Sequence, residues 1–424
     1  MENKEINLLT YDDVLEKINA HENHLLIGNG FNRGLGINTS YASIFNRMID
    51  SERSVYGDAI PLVEECKNDL ESFIGRLIED VSPNNSFLKK YIENKVKIDF
   101  MKATHEIVKD NIKDIYSKDN EGVFVLLQNF TNYFTLNYDT LLYLLLLKYK
   151  ISEDDINAIS FTSSIKFMNE LEDYRSTNIF TEIKELRVKG FLEINNNEDE
   201  KFVHKRLDKV TKQSFISSVN EYSKSNGKNW KTKDIDRVVG LVLKEEQENK
   251  VLKNIDDGSR YHGLFDNDPV FIFDLSSRTQ NLFFLHGAFH IYKNGKSIYK
   301  ITQDNDKALY SKLEEILNHE EMSIVCVFKQ DDKLDTIKEN DYLLKCYKKL
   351  KTLSGNMVII GSSLADNDNH IFSQIEKSNV KRLFISTFKK NYKEFYKLAE
   401  EKFPTKEIYL FDAETVSYKT SERK

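Results

Sequence analysis

Cysteine and long apolar runs are both scarce in this chain of 424 residues. The three cysteines, Cys66, Cys326 and Cys346, lie far apart, so the sequence offers no disulfide framework and no CxxC pair for zinc. The longest unbroken apolar run, LLYLLLL, covers residues 141–147. A membrane-spanning helix needs about 20 apolar residues, so this run is too short to cross a bilayer.

Signals for export and for nucleic-acid binding are also missing. The N-terminal sequence MENKEINLLTYDD has neither the basic nor the apolar part of a signal peptide, so we expect a cytoplasmic protein. The net charge of -7 gives no general attraction to nucleic acid or to anionic membranes. A basic segment, KSNGKNWKTK at 224–233, holds the single tryptophan, and we interpret it as solvated surface. We therefore expect neither a membrane nor a nucleic acid as partner.

What the sequence does contain is a set of short apolar segments that stop abruptly at small or polar residues. Four of them are HLLIGNG, NYFTLNYD, NLFFLHG and NMVIIGSSLADND, and MSIVCVF, KRLFIST and EIYLF indicate further strands. Amphipathic segments such as SKLEEILNHE and YLLKCYKKLKTL lie between them. This alternation predicts an α/β fold whose mostly parallel sheet is covered on both faces. Ligands of such sheets bind beyond the carboxyl ends of the strands, where the four abrupt ends would share one crevice.

Composition divides the chain into three parts. Residues 151–280 are dense in Lys, Glu, Asp and Asn with helical periodicity, and we interpret them as a mainly helical insertion between two halves of the α/β domain. The first half is 1–150 and includes a second helical segment at 62–113, and the second half is 281–424. The sequence shows no fixed-period repeat and no linker rich in Pro, Gly and Ser.

The first apolar segment ends in the glycine-rich loop LLIGNGFNRGLG. Gly28 and Gly30 permit a tight turn and a close approach of backbone N–H groups to a phosphate, although a purely structural turn explains them at least as well. The usual dinucleotide motif has a third glycine three residues after the second. This chain has Arg33 there, and glycine follows only at Gly34, which counts against a dehydrogenase.

Polar side chains follow the next two strands. Asp139 or Thr140 could cap the helix after NYFTLNYD, but capping does not explain Asn137, whose amide would face the crevice and hold a ribose hydroxyl or a water. His286 follows the strand of NLFFLHG and is either a structural histidine or a base for a step near neutral pH. A metal site with His290 has little support, because no carboxylate falls between the two histidines as in HExxH.

The fourth apolar segment runs into GSSLADNDNHI. Residues 361–363 resemble a second cradle for phosphate or ribose, and they can equally form a turn. Asp366, Asp368 and His370 come next, and Asn and Asp residues in such a position commonly form turns and cap the following helix. The sequence leaves open whether these three side chains contact a ligand.

Taken in chain order, GNGFN, LNYD, LHGAF and IIGSSL are similar to the motifs of sirtuins. That family has a glycine-rich first loop, an asparagine–aspartate pair, a His-Gly strand end that bears the catalytic base, and a later Gly-Thr/Ser-Ser-Leu. The version here is closer to the bacterial sirtuin-like branch, whose second motif is Thr-x-Asn-Tyr-Asp, and resembles a subgroup with GNGF, NYD, LHGA and GxSLxxND motifs. The branch includes NAD-hydrolysing effectors of antiphage defence.

Two departures separate the chain from sirtuin deacylases. Those enzymes carry a four-cysteine zinc module, which three cysteines cannot build. The interval between Asn137 and His286 is also far longer here, because the helical insertion occupies it. The resemblance therefore implies a Rossmann-like sheet of the sirtuin type with a large helical insertion and no zinc module, and it favours NAD hydrolysis over deacylation.

The resemblance also implies roles for individual residues. Asn137 would position the ribose hydroxyls or the attacking water, Asp139 would stabilise positive charge or orient Asn137, and His286 would be the base. NAD would be the substrate, and no metal is expected. The residues implied to bind it are Gly28, Asn29, Gly30, Phe31, Asn32, Gly361, Ser362 and Ser363.

Control of such an enzyme is a further expectation from the family, because unrestrained NAD hydrolysis harms the host. We expect a homo-oligomer, or a partner protein such as a defence ATPase or a phage-derived trigger. Two competing interpretations remain: a catalytically silent module that senses NAD or ADP-ribose, and an interaction subunit that binds no NAD.

Overall fold

The chain forms two compact units in a computed structural model that describes residues 7–18, 22–67, 69–79, 81–115, 121–127, 129–150, 177–189, 191–194, 202–205, 207, 210–265, 268–302, 306–327 and 333–418. The first unit comprises Met1–Tyr149, Ile255–Arg260 and Phe271–Lys424. The second comprises Lys150–Asn254 and Tyr261–Val270. Residues 151–176 of the predicted insertion lie outside the described part of the chain.

Helices and strands alternate in the C-terminal part of the first unit, from residue 306 onward, whereas several consecutive helices separate its first two strands. The described α-helices are α1 (Tyr11–Ile18), α2 (Asn29–Gly34), α3 (Tyr41–Ser51), α4 (Arg53–Tyr56), α5 (Ile60–Glu65), α6 (Leu70–Glu79), α7 (Ser86–Ile115), α8 (Glu121–Leu127), α9 (Leu141–Lys150), α10 (Asn178–Lys189), α11 (Lys212–Ser225), α12 (Thr232–Asn254), α13 (Asp306–Asn318), α14 (Lys333–Glu339), α15 (Asp341–Lys351), α16 (Asn369–Glu376) and α17 (Tyr392–Lys402). The described strands are β1 (Asn23–Ile27), β2 (Asn132–Thr135), β3 (Phe191–Ile194), β4 (Phe202–Lys205), β5 (Ser259–Phe265), β6 (Asp268–Phe273), β7 (Leu282–Phe284), β8 (Gly287–Asn294), β9 (Ser297–Lys300), β10 (Met322–Cys326), β11 (Ser354–Ile360), β12 (Asn379–Thr387) and β13 (Glu407–Asp412).

The main sheet of the first unit has six parallel strands in the order β13-β12-β11-β1-β2-β7. Every residue of β1, β2 and β7 is buried, because the sheet is covered on both faces. The α/β class and the mostly parallel sheet predicted from the sequence are confirmed. Numbered along the chain, the six strands follow the order 3-2-1-4-5-6 of a Rossmann-like fold.

One predicted strand belongs to a different sheet. MSIVCVF forms β10, which pairs antiparallel with β8, and β8 in turn pairs antiparallel with β9. The pairing of β10 shifts register between Ile324 and Cys326, so the strand bends along its partner. The apolar residues of MSIVCVF are compatible with a buried strand in either sheet. Only the pairing of β10 with β8, which is distant in sequence, shows which sheet the strand joins.

The second unit has its own hydrophobic core. Phe180 of α10, Phe215 of α11 and Val238 of α12 are buried together in it. Trp230, in the basic segment between α11 and α12, packs partly against this core. None of the helices within the described residues is both long enough and apolar enough to cross a membrane.

Candidate active site at the switch in strand order

The main sheet reverses its strand order between β1 and β11, which pair in parallel at its centre. In α/β sheets, ligands bind beyond the carboxyl ends of the strands at such a reversal. A cavity of about 1210 Å³ opens there, and all the residues that line it belong to the first unit. Residues at or just after the carboxyl ends of all six strands contribute to its wall, namely Gly28–Gly30, Leu136–Asp139, His286, Gly361–Ser363, Ser386–Phe388 and Ala413–Glu414.

The loops after β1 and β11 touch through their glycines. Gly361 has a φ of 73°, and a Cβ on it would lie 2.2 Å from Phe31 N. A Cβ on Gly28 or Gly30 would lie 2.6 Å from atoms of Gly361. The N–H of Gly30 donates to the Gly361 carbonyl at 2.9 Å, and the N–H of Gly28 donates to Ile360 at the same distance. Close packing of the two loops therefore accounts for these glycines, whatever ligand binds beside them.

A buried polar network joins the first loop to the loop after β2. Asn32 Nδ2 donates to Asp139 Oδ2 and to Thr39 Oγ1, both at 2.8 Å. Asn137 Nδ2 donates to Asn32 Oδ1 at 3.1 Å. The Thr39 hydroxyl donates in turn to Asn29 Oδ1 at 2.8 Å. Because Asn137 borders the cavity and Asn32 is fully buried, the orientation of the Asn137 amide depends on Asn32 and, through it, on Asp139.

Both carboxylate oxygens of Asp139 have partners inside the protein. Oδ1 accepts from the N–H of Leu141 at 2.9 Å and so caps α9, while Oδ2 accepts from Asn32. Burial raises the pKa of Asp139, and the hydrogen bonds from Leu141 and Asn32 oppose that rise. These contacts fit a residue that holds the Asn137 loop in place.

His286 lies in the turn between β7 and β8. Gly287 follows it with a φ of 80°, and a Cβ there would lie 1.8 Å from the carbonyl oxygen of Val325 in β10. The glycine is thus required by the close approach of β8 and β10. The His286 side chain thus lies at the carboxyl end of β7. His286 lines the cavity there, although its side chain is only 3% exposed.

Three polar side chains surround His286. Its Nε2 lies 3.2 Å from Nε2 of His370 and 3.6 Å from Asp368 Oδ1. Lys333 Nζ donates to the same Asp368 oxygen at 2.9 Å. We call His286, His370, Asp368 and Lys333 the cavity cluster.

The two histidines of the cavity cluster are neutral at pH 7. Burial lowers the pKa of His286 to about 3 and that of His370 to about 4. The Asp368 carboxylate opposes this effect, and the Lys333 ammonium adds to it. A neutral imidazole can accept a proton, but one with so low a pKa is a weak base until a ligand changes its surroundings.

Aromatic side chains form the wall next to His286. Tyr138 stacks on Phe289 with ring centroids 5.7 Å apart, and its hydroxyl donates to the Val327 carbonyl at 2.7 Å. Tyr41 of α3 and Phe100 of α7, 5.6 Å apart, extend this wall. The helices that precede β2 therefore shape the His286 end of the cavity.

The other end of the cavity lies beyond β12 and β13. Phe388 is 63% exposed there, and Asn391 and Glu414 also line the wall. Ser386 Oγ accepts from the N–H of Gly361 at 2.9 Å and so ties this end to the loop after β11. The cavity thus has one largely aromatic end and one end with exposed polar groups beside the exposed ring of Phe388.

The residues implied by the sirtuin resemblance all border the cavity, with two exceptions. Phe31 is fully buried and packs edge-on against Tyr418 at 5.8 Å, and Asn32 lies inside the polar network. Ser362 Oγ accepts from the N–H of Leu364 at 3.2 Å, which is a turn contact. Part of the GSSL segment therefore forms a turn, which is one of the two interpretations that the sequence allows.

Three residues of the cavity cluster, Lys333, Asp368 and His370, have no role in the hypothesis drawn from the sequence. Asp368 and His370 were visible as the acidic and histidine positions after the fourth strand, whereas no pattern marks Lys333 at the start of α14. Asp366 has a side chain that is 89% exposed and pairs with Lys402, away from His286. His290 packs against Tyr143 and Phe284 instead of joining the cavity wall.

Within the described ranges, no group of three or more His, Cys, Asp or Glu side chains is arranged to hold a metal ion.

Comparison with known families gives a match over the C-terminal half of the chain. The profile of the family described as a domain of unknown function, DUF4917, matches residues 201–418, just over half of the chain. A search of curated proteins finds no match.

Proposed function

The chain belongs to the DUF4917 family, and we propose that it is an NAD hydrolase that breaks the bond between nicotinamide and ribose. One observation carries the proposal. His286 and Asn137 border the same cavity as the loops of Gly28 and Gly361, at the reversal in strand order where α/β proteins bind dinucleotides.

The proposed reaction is a displacement by water at the ribose carbon attached to nicotinamide. That bond breaks with its electron pair passing to the nicotinamide nitrogen, through an oxocarbenium-like transition state. Nicotinamide leaves as a neutral molecule, so no strong acid is required. The water oxygen bonds to the ribose carbon and its proton passes to Nε2 of His286, while the Asn137 amide positions the water or a ribose hydroxyl.

Asp139 acts in this proposal as a positioning residue. It holds Asn32, and Asn32 Oδ1 accepts the hydrogen bond that orients the Asn137 amide. The nicotinamide is assigned to the aromatic end beside His286, because the base must reach the bond that breaks. The adenosine is then assigned to the Phe388 end, where an exposed ring can stack on a base and the Glu414 carboxylate can accept hydrogen bonds.

The biological role that we propose is a regulated effector of antiphage defence that depletes NAD in the cytoplasm. It rests on the resemblance to bacterial sirtuin-like proteins. Control would come from homo-oligomer assembly, a defence ATPase or a phage-derived trigger. Gel filtration combined with NAD turnover tests this part, and a stable monomer that is fully active alone would contradict it.

A second function, a catalytically silent sensor of NAD or ADP-ribose, is favoured by one specific observation. Nε2 of His286, the atom that the hydrolase would use, already contacts His370. A sensor would bind NAD without consuming it. Ligand present at about 100 times its dissociation constant adds about 2.7 kcal/mol of stability, so a thermal shift reports binding independently of turnover.

The deciding experiment is NAD consumption by the purified chain and its His286→Ala variant, with the products separated by chromatography. We expect about 10²- to 10⁴-fold slower nicotinamide release in the variant, since that is the usual contribution of a positioned acid–base group. His319→Ala is the matched control, because His319 is exposed and does not line the cavity. Equal turnover in native and His286→Ala protein would remove His286 as the base. A thermal shift with NAD in the absence of any turnover would favour the sensor.

A further inference from the structure

The Lys333–Asp368 pair of the cavity cluster is not explained by local structure. Asp368 is the N-cap residue of α16, where a carboxylate usually accepts a backbone N–H, yet its side chain makes no capping hydrogen bond. Lys333 begins α14, although the N-terminus of a helix disfavours a positive charge. The Lys333 side chain is only 9% exposed, so the ammonium is held in a buried place beside Asp368. Departures from local rules of this kind are typical of functional sites.

The pair offers a donor and an acceptor side by side. Lys333 Nζ donates to Oδ1 of Asp368 at 2.9 Å, and an ammonium has three N–H groups. In the part of the chain that the structure describes, Lys333 has no second acceptor, and no donor reaches Oδ2 of Asp368. Both residues line the cavity. A ligand there can therefore accept from Lys333 and donate to Asp368 at the same time.

The chemistry of this pair fits a primary carboxamide on an aromatic ring. The oxygen of a carboxamide accepts hydrogen bonds and its NH₂ group donates them. A phosphate fits less well, because the Asp368 carboxylate cancels the charge of Lys333 and would repel an anion. Tyr138 and Phe289, the stacked rings in the wall next to His286, supply aromatic faces for the ring that carries the amide.

We propose that Lys333 and Asp368 bind the carboxamide of the nicotinamide ring, with Lys333 donating to its oxygen and Asp368 accepting from its NH₂ group. The assignment deepens the proposed function and rests on it for the identity of the ligand. Oδ1 of Asp368 lies 3.6 Å from Nε2 of His286, so the pair is next to the atom assigned to the bond that breaks. Asp139 also lines the cavity, but both of its oxygens accept hydrogen bonds inside the protein.

The assignment predicts selection against the nicotinic acid form of the dinucleotide. A carboxylate in place of the carboxamide has no N–H to donate, so it would face the Asp368 carboxylate without a hydrogen bond. Like charges placed next to each other oppose binding. The loss of one hydrogen bond to a charged group corresponds to about 10- to 100-fold in affinity.

The test compares the dissociation constants of NAD, its nicotinic acid analogue and ADP-ribose by titration calorimetry. The full chain carries His286→Ala, so that NAD persists during the titration. We expect NAD to bind about 10- to 100-fold more tightly than the acid analogue. Equal dissociation constants for the two dinucleotides would overturn the inference. If His286→Ala does not fold, free nicotinamide and nicotinic acid titrated into the native chain and observed by NMR give the same comparison, because neither contains the bond that breaks.

Two substitutions separate amide recognition from a purely structural ion pair. Asp368→Asn keeps the size of the side chain and an acceptor for Lys333, and it adds an N–H that can pair with a carboxylate. We expect it to weaken NAD binding about 10-fold and to tighten binding of the acid analogue. Lys333→Met removes a donor that both dinucleotides use, so both should bind more weakly. The affinity for ADP-ribose, which lacks the ring, should be unchanged in both variants.

Asp335→Asn is the matched control. Asp335 pairs with Lys338 on the exposed face of α14 and does not line the cavity, so we expect no change for any of the three ligands. A structural role of the Lys333–Asp368 pair would shift the affinity for all three ligands by the same factor in Asp368→Asn. That result would contradict the inference.

Turnover separates the carboxamide assignment from the proposed function. If NAD is consumed but Asp368→Asn leaves the preference between the two dinucleotides unchanged, the hydrolase proposal stands and the assignment fails. If the preference is as expected but the native chain consumes no NAD, hydrolysis fails and the pair belongs to a sensor of intact NAD. A native chain that binds neither dinucleotide would overturn both.

Discussion

Two clusters of similar composition lie in the first unit, and only one of them faces the cavity. The cavity cluster pairs Lys333 with Asp368 at 2.9 Å beside His286. The other, which we call the core cluster, consists of Lys300, Asp257, Ser259, Tyr143 and His290. His286 and His290 belong to the same short stretch of chain, yet each joins a different Lys–Asp pair.

The Lys300 ammonium of the core cluster has three hydrogen-bond partners inside the protein. Lys300 Nζ donates to Asp257 at 2.7 Å, to Ser259 at 3.0 Å and to Tyr143 at 3.1 Å. Burial opposes ionisation of Asp257, but the Lys300 ammonium and the Ser259 hydrogen bonds outweigh it and hold the pKa of Asp257 below its usual range. None of these side chains lines the cavity. The cluster is therefore structural.

The cavity cluster differs because its wall is open to a ligand. His286, Asp368 and Lys333 all border the cavity, and the Asp368 side chain is 17% exposed. Residue types are thus a poor guide to function in this chain. Access to the cavity distinguishes the two clusters, and the same substitution in each should therefore affect different properties.

The largest effect on stability should come from Lys300→Met. This change leaves the buried Asp257 carboxylate without its cation, which typically costs about 3–5 kcal/mol. Denaturant unfolding of the full chain measures the loss, and Lys338→Met, in an exposed pair with Asp335, is the control in which we expect little change. Adding Asp257→Leu to Lys300→Met should recover most of the stability. A double variant as unstable as the single one would contradict the buried ion pair as the cause.

A smaller effect should appear in the pH dependence of stability through His290. Burial lowers the pKa of His290 to about 3, against about 6.5 in the unfolded chain, so between these values the unfolded state binds more protons and stability falls as pH falls. Replacing His290 by Phe removes this contribution, at most about 1.4 kcal/mol per pH unit. We expect a shallower acid decline in His290→Phe, measured as the denaturation midpoint from pH 7 to pH 4. Parallel curves for the two proteins would show that His290 does not titrate as inferred.

The smallest effect on stability should come from Lys333→Met, the counterpart of the first substitution. We expect a loss of about 1 kcal/mol, because Asp368 borders the cavity and water can solvate it. The Lys333 ammonium lowers the pKa of His286, so its removal should raise that pKa and, if His286 is the base of the proposed NAD hydrolysis, move the acid limb of that activity to higher pH. Stability losses of equal size in Lys333→Met and Lys300→Met would erase the distinction between the clusters.

Much of the fold was predictable because its signals are local. Seven apolar segments marked strands, and SKLEEILNHE and YLLKCYKKLKTL marked helices that the structure contains as α13 and α15. The carboxyl ends of parallel strands meet at one edge, so the loops after β1, β2, β7 and β11 could be expected to converge. The exception was β10, since apolar content does not reveal which sheet a strand joins.

The sequence by itself determined the α/β class and the set of residues at the strand ends, because hydrophobic pattern and abrupt termination are properties of a few consecutive residues. Only the tertiary structure decided which of those residues act together. The contact between His286 and His370 spans 84 positions and that between Asn32 and Asp139 spans 107, and both depend on the order of the strands in the sheet. Burial, which lowers the pKa of His286 and raises that of Asp139, likewise exists only once the distant elements have packed around them.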